Sequence, residues 1–457
     1  MTHAPPATSL FEVAARALWA KPRNAQARQL ARDAIIDTLG CIVAGRDEAV
    51  VAAVTSAHQA SGLPSGPCRV VGGLSAPPFA AARINGTAAH ALDFDDNFEA
   101  GMSHASAVLV PALLAVAQAG GKTPAQVVDS YLVGLQAQAE VGRALGYGHY
   151  IAGWHATSTV GCIGTACGVA HLLALCPDGI EQAMSIAVSF ASGTKGQFGT
   201  PTKPFHAGLA AGNAVEAAYL AQAGLTGRSD ILERPQGLLE MFAGAKGTPP
   251  STPDPNEQPS GPRHAILSPG LAPKRFACCG STHLAIDALL DLVAVHGFGP
   301  EQVKKIEILV GQANYRNLPY SCPQDGHEAR FSMHYCLTQA LRSGTVSLSD
   351  FAHDTVAARR TDPLLRVIDM AHRSAEEEAA SSDRLAHVVE VTLTDGAVLR
   401  GERQRAKGTL SDPFTCEDKR AKLAQCTAHM QECAPDFDAL HHCFVGGDLR
   451  DIDPLFG

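Results

Sequence analysis

Alanine, glycine and serine recur at three- and four-residue spacing through most of the first 245 residues, and few architectures accept that pattern. QARQLARDAIIDTLGCIVAG, PPFAAARINGTAAHALDF, PAQVVDSYLVGLQAQAEVGRAL and STVGCIGTACGVAHLLAL each read as helix, with almost no β-branched alternation. Small faces let helix backbones approach closely, so the spacing predicts a compact helical bundle rather than an elongated coil. GTPPSTPDPNEQPSGPRH (247–264), with six prolines and no periodicity, reads as a loop or mobile excursion at a domain edge.

Beyond that loop the pattern changes. VKKIEILVG (303–311) and HVVEVTLTDGAVLRGE (387–402) read as strands, the second as a hairpin turning at Asp395-Gly396. ARFSMHYCLTQALRSG and LSDFAHDTVAARR between them read as helices. The expectation is a mainly α protein: a large all-helical domain over 1–271, completed by C-terminal helices over 411–457, and a smaller α+β domain over 272–410.

Composition excludes several functions. A net charge of −9 argues against nucleic acid as a partner, because phosphate binding needs a basic face. The longest apolar runs, such as SAVLVPALLAVAQAG, are too short to span a bilayer, and the N-terminal stretch lacks the charged and apolar regions of a secretory signal. Thirteen cysteines form no C-x-x-C pair, and those at 416, 426, 433 and 443 lack structural-zinc spacing, so a reduced cytoplasmic setting is expected.

The chemistry concentrates at residues 90–104, HALDFDDNFEAGMSH, where two histidines and four carboxylates fall within fifteen residues. Asp95-Asp96-x-x-Glu99 resembles a magnesium–diphosphate motif, but no second acidic run is present to complete the octahedral oxygen shell, so no metal is expected. Helix capping is the plainer reading: Ser103 or Ser106 can cap the helix that follows, with His104 at its entrance. GWHATST repeats the design with His155 before Thr157 and Ser158, and GTPTKPFHAG places Lys203 and His206 at a third helix mouth. Lys274 and Arg275 precede Ser281-Thr282, candidate caps of a fourth helix. Recurrence of cationic groups at helix N-termini suggests convergence on one anionic ligand.

In this order and spacing, HALDFDDNFEAGMSHAS, GHYIAGWHATSTVG, TKPFHAGLAAGNAV, KRFACCGSTHLAID and HEARFSMHYC resemble the MmgE/PrpD family, from about residue 9 to beyond 410. That family includes 2-methylcitrate dehydratase, cis-aconitate decarboxylase and iminodisuccinate epimerase. The resemblance implies a large helical domain, a smaller α+β lid domain with the active site between them, a homodimer, and catalysis without organic cofactor or metal. Position by position it implies active-site roles for Asp93, His104, His155, Lys203, Lys274 and Tyr315, with Asn97, Thr157, His206 and Cys279 in the substrate pocket. Asn97 stands where the decarboxylases have Thr, and Cys279 where they carry a further catalytic His. The second departure counts against decarboxylation.

The implied reactions share one hard step, making or protonating a carbanion beside a carboxylate. Cations such as Lys203 and Lys274 would hold the carboxylates and take up developing charge. His104 and His155 would supply acid and base at helix N-termini that disfavour imidazolium, and Asp93 would orient one of the cations or imidazoles. The expectation is a lyase, foremost a hydro-lyase, acting on a small di- or tricarboxylate. An epimerase is the alternative, then a decarboxylase, then a binding protein that kept the fold and lost turnover. Lys203 is also expected to lie beside the positive end of its own helix, a like-charge conflict that a substrate carboxylate would relieve, so that Lys203→Met would leave stability unchanged or slightly raised.

Overall fold

The structure is a computed structural model that describes residues 7, 9–19, 24–243, 264–381 and 385–457. The loop expected over 247–264 lies outside the described residues, His264 excepted. The chain is mainly helical and divides into two units: Met1–Gln197, Thr202–Pro273 and Thr415–Gly457 form the first, and Phe198–Pro201 with Lys274–Phe414 the second.

In the first unit the small-residue spacing has a direct structural cause. Helices Pro78–Ala91 and Thr202–Gln222 touch where Gly86 faces Gly208, and a Cβ on Gly208 would lie 2.1 Å from the Arg83 carbonyl oxygen. The Pro124–Ile151 and Ala156–Leu172 helices approach as closely: a Cβ on Gly164 would sit 2.5 Å from the Gln138 amide nitrogen. At these two contact points the backbones are so near each other that even the methyl group of alanine would clash. Between them the Ala105–Gly120 helix is buried from Ala105 to Ala117, the centre of the core.

The Pro124–Ile151 helix starts with proline behind a capping box in which Thr123 Oγ1 accepts from the Gln126 amide and Gln126 Oε1 accepts from the Thr123 amide. It kinks at Gly146, whose φ of 65° only glycine adopts cheaply. The C-terminal helix Cys416–Thr427 packs on Ala25–Ala44, tied by Lys419 to Asp33 and Lys422 to Asp37. One two-stranded element, β1 (Cys68–Val70) with β2 (Leu74–Ala76), interrupts the helices. Three-residue strands are too short to show periodicity, which is why the sequence reads as helix there.

The second unit holds a four-stranded sheet of β3 (Val303–Val310), β4 (Ile368–His372), β5 (His387–Leu393) and β6 (Val398–Arg403), in the order β4-β3-β5-β6. β5 and β6 form the expected hairpin, with Gly396 at φ 92° and Asp395 Oδ1 accepting from the Ala397 amide. β4, parallel to β3, was not legible, because only Ile368 of its five residues is buried. The Gly280–His296 helix lies against β6 so closely that a Cβ on Gly401 would stand 3.0 Å from Leu292 Cγ. Among the described residues, no helix is long and apolar enough to cross a membrane, and the cysteines with described side chains are free thiols.

Candidate active site

The Pro78–Ala91 helix ends with His90 in its last turn, and the chain turns sharply through Asp93, which takes a φ of 52°. Aspartate tolerates this left-handed conformation better than most side chains. The loop that follows is pinned at both sides. The Asn97 amide and carbonyl pair with Ala272, each bond 2.9 Å, and Phe98 pairs with Ser103. This backbone clamp delivers His104 to the start of the Ala105–Gly120 helix.

Capping here differs from the expectation. The residue at the helix entrance is His104 itself, and it makes no side-chain cap. Ser103 Oγ instead donates to Gln138 Oε1, and Ser106 lies inside the first turn with its hydroxyl on Asp96. Asp96 does the capping from the loop: its Oδ1 accepts from the Ser106 amide at 3.3 Å, a carboxylate at a helix N-terminus. Likewise His155, not Thr157 or Ser158, precedes the Ala156–Leu172 helix, and Thr157 Oγ1 accepts from the His104 amide at 3.0 Å. In the second unit Cys279 precedes the Gly280–His296 helix, and Thr282 Oγ1 donates to the Cys279 carbonyl at 2.8 Å rather than capping. A long-range carboxylate and local main-chain acceptors outcompeted the serine and threonine caps.

The imidazoles converge. His90 Nδ1–H donates to Asp95, 2.9 Å from each carboxylate oxygen. His104 Nδ1–H donates to the Asp96 carbonyl at 2.9 Å and lies 3.5 Å from Asp95. His155 Nδ1 and His206 Nδ1 are 3.0 Å apart, one donating to the other. Ring centroids are 4.4 Å apart for His90 and His104, 5.9 Å for His90 and His155, and 5.3 Å for His155 and His206. Lys203, in the first turn of its helix, places Nζ 2.7 Å from Asp93 Oδ1, and both side chains are buried. Asp93 is therefore the buried counterion of Lys203.

Electrostatics favour neutral rings. Burial, then the neighbouring His90, Lys203, His206 and His104, hold His155 well below the ordinary histidine range. Burial, His90 and Lys203 lower His206 to about 4. His90 is lowered by burial against the opposing pull of Asp95. Desolvation, more than helix dipoles, thus disfavours imidazolium. Burial also raises Asp96 to about 7 although Ser106 stabilises its anion. Neutral imidazoles of this kind can accept a proton.

Ligand atoms of His90, His104 and His155 lie within 4.8 Å of one another, as do those of His90, Asp93, Asp95 and His104. These groups could gather round an ion, but Lys203 already occupies Asp93 and puts a second positive charge beside any cation. Of the Asp95-Asp96-x-x-Glu99 run, Asp95 and Asp96 are buried and engaged by His90 and Ser106, while Glu99 is exposed. That is a poor cradle for a magnesium diphosphate.

Asp93, Asn97, His104, His155, Thr157, Lys203 and His206 all belong to the first unit. Lys274, Cys279 and Tyr315 belong to the second. There Lys274 and Cys279 are buried, the Cys279 amide donates to the Arg330 carbonyl at 2.9 Å, and Tyr315 is part-exposed with its ring 4.9 Å from that of His372. Sequence reasoning passed over His90 and Asp95 as a pair. Their five-residue separation inside the acidic run was the only signal, and it means nothing until the chain turns at Asp93.

A helical bundle with clustered imidazoles and an ammonium–carboxylate pair, and a separate α+β unit, carry side chains of the kind acid–base enzymes use. Residues 12–250 match the MmgE/PrpD N-terminal domain and residues 276–439 the MmgE/PrpD C-terminal domain. The chain belongs to the MmgE/PrpD family. Cis-aconitate decarboxylase of Homo sapiens is 29% identical over 362 residues, covering 76% of this chain and 72% of that protein. Its counterpart in Aspergillus terreus is 31% identical over 265 residues, 56% of this chain and 52% of that protein. These relatives are lyases, and lyase chemistry is the family-level assignment here.

Proposed function

We propose that this chain is a lyase that makes or protonates a carbanion beside a carboxylate of a small di- or tricarboxylate. The observation that carries the reading is the cluster of half-buried His104 with buried His155 and His206 beside the Lys203–Asp93 pair. In this reading a substrate carboxylate meets the Lys203 ammonium, which Asp93 orients, and charge developing there is stabilised without reorganisation. His104, whose Nδ1–H is held by the Asp96 carbonyl, serves as one proton-transfer group, and His155 with His206 supplies the opposing partner. Asn97 and Thr157 shape the pocket wall. For Lys274, Tyr315 and Cys279 of the second unit, carboxylate-binding roles rest on the family resemblance.

Dehydration of a hydroxy-polycarboxylate of the 2-methylcitrate kind is the leading reaction, supported by Cys279 standing where decarboxylases are expected to carry histidine. Decarboxylation of cis-aconitate is the second reading, favoured by the names of the relatives. The test is incubation of the purified protein with 2-methylcitrate, citrate, cis-aconitate, iminodisuccinate and tartrate, following alkene formation and carbon dioxide release together. Alkene without carbon dioxide supports dehydration, and carbon dioxide supports decarboxylation. Epimer alone points to proton transfer between faces, and no change in any acid overturns the proposal.

A further inference from the structure

We infer that His90, held by Asp95, is a proton-transfer residue of this site, taking the substrate α-proton on Nε2 and returning it. The inference rests on the lyase reading above and adds a residue to it. Its basis is a contrast among buried histidines of the same unit. His149 is bonded at both nitrogens, Nδ1 to the Phe242 carbonyl at 2.8 Å and Nε2 to Thr159 Oγ1 at 2.7 Å. His264 is bonded at both as well, Nε2 to the Leu132 carbonyl at 2.8 Å and Nδ1 to the Ile266 amide at 3.1 Å. Those are satisfied core histidines.

His90 is built differently. It is 1% exposed, its Nδ1–H is spent on the Asp95 carboxylate, and its Nε2 has no hydrogen-bond partner among the described residues. A buried acceptor left in this way costs stability unless something else meets it. Its ring forms a triangle with those of His104 and His155, the centroids 4.4, 5.9 and 6.4 Å apart, so what meets it is placed among the other proton-exchanging groups. The Asp95 carboxylate fixes the tautomer with the lone pair on Nε2 and stabilises the imidazolium formed when that lone pair takes a proton.

The step balances within the substrate and the pair. The Cα–H bond breaks, its electron pair passes into the adjacent carboxylate as an enediolate, and the proton bonds to Nε2. The imidazolium of His90 is then neutralised by Asp95. In the forward elimination the electron pair forms the double bond, and the β-hydroxyl leaves as water with a proton from a second imidazole. The charged and titratable groups facing His90 are Asp95, Asp93, Lys203, His104, His155 and His206. Asp95 and Asp93 favour its charged form, and Lys203 opposes it.

The test uses the full chain labelled with ¹⁵N-histidine, and the variants His90→Gln and Asp95→Asn. At neutral pH the His90 ring is expected neutral with its proton on Nδ1, and tricarballylate, a non-reacting tricarboxylate, is expected to shift the Nε2 resonance. His90→Gln is expected to lower solvent-proton exchange into cis-aconitate or 2-methylcitrate by roughly 10²-fold or more, with KM nearly unchanged. Asp95→Asn is expected to move the acid limb of the pH–rate profile to lower pH, because imidazolium loses its counterion, and a purely structural carboxylate would not move it. Exchange by His90→Gln within about fivefold of the parent overturns the inference. A ring carrying its proton on Nε2 overturns it too, whether or not the protein turns over any acid. A parent enzyme inert toward every acid overturns the lyase reading instead, and the resonance measurement still decides the tautomer.

Discussion

Two buried lysines of the first unit pair with aspartates, and their surroundings divide a structural ion pair from a functional one. Lys422 Nζ reaches Asp37 at 2.8 Å, donates to the Phe94 carbonyl at 2.8 Å and stands 4.3 Å over the Phe94 ring. Burial works to lower its ammonium, but Asp37, Cys41 and Cys426 outweigh it and push it up. This lysine joins the C-terminal helix to the Ala25–Ala44 helix and props the acidic loop from behind. Lys203 pairs with Asp93 equally closely, but its charge acts on His90, His155 and His206, lowering all three. The same ion-pair chemistry serves as a staple where its neighbours are an aromatic ring and thiols, and as a charge source where they are imidazoles.

Lys203→Met should break the comparison hardest. Loss of the cation that meets a carboxylate is expected to cost about 2–5 kcal/mol of transition-state stabilisation, read as kcat/KM on whichever acid is turned over. Contrary to the sequence expectation, stability should also fall, by about 3–5 kcal/mol in denaturant titrations, because Asp93 keeps a buried charge without its counterion. The double variant Asp93→Asn with Lys203→Met should recover much of that stability and none of the turnover.

Lys422→Met should lose stability on the same scale, about 3–5 kcal/mol, while turnover per folded molecule stays within roughly tenfold of the parent. A Lys422 variant that folds normally but is inactive would move this pair into the site.

Acidification should give a smaller effect. His90, His155 and His206 are held neutral below the ordinary histidine value of 6.5, so the unfolded chain takes up more protons as pH falls through that value. The stability they contribute is complete above it and is lost on descending toward about 4, where His206 itself titrates. Asp96, raised to about 7, acts in reverse: its stabilisation is complete below 3.8 and is lost as pH rises through about 7. Three imidazoles against one carboxyl should leave a net loss on the acid side, visible as a lower urea midpoint at about pH 5 than at about pH 7. The smallest expected effect is that of chelation, which should leave turnover unchanged. Activity that needs an added divalent ion would make the imidazole cluster a metal centre.

How much of this was legible follows from the range of each interaction. The helix entrances at His104, His155 and Lys203 were readable because small-residue spacing and the residue before each helix are local signals. The Asp93–Lys203 pair joins residues 110 positions apart, so which cation or imidazole Asp93 meets was not readable, and the like-charge argument for Lys203→Met left this carboxylate out. The caps failed for the same reason: Ser106 was judged by its propensity, whereas Asp96, ten residues upstream, took the helix amide. His90 counted among the two histidines of the 90–104 stretch but was given no role, and only the turn at Asp93 brings Asp95 back onto its ring. β1, β2 and β4 are too short or too exposed to carry an alternating pattern.

The central claim, that buried imidazoles move a proton at the carbon beside a carboxylate, is tested most directly in D₂O. The parent enzyme and a His104→Ala/His155→Ala double variant would be incubated with 2-methylcitrate and with cis-aconitate, and deuterium at each carbon of recovered substrate and product read by NMR. The account predicts deuterium next to a carboxylate with the parent, and at least roughly 10²-fold slower incorporation with the double variant. Turnover that places no solvent deuterium on carbon, or incorporation that survives loss of both histidines and of His90 together, would contradict it.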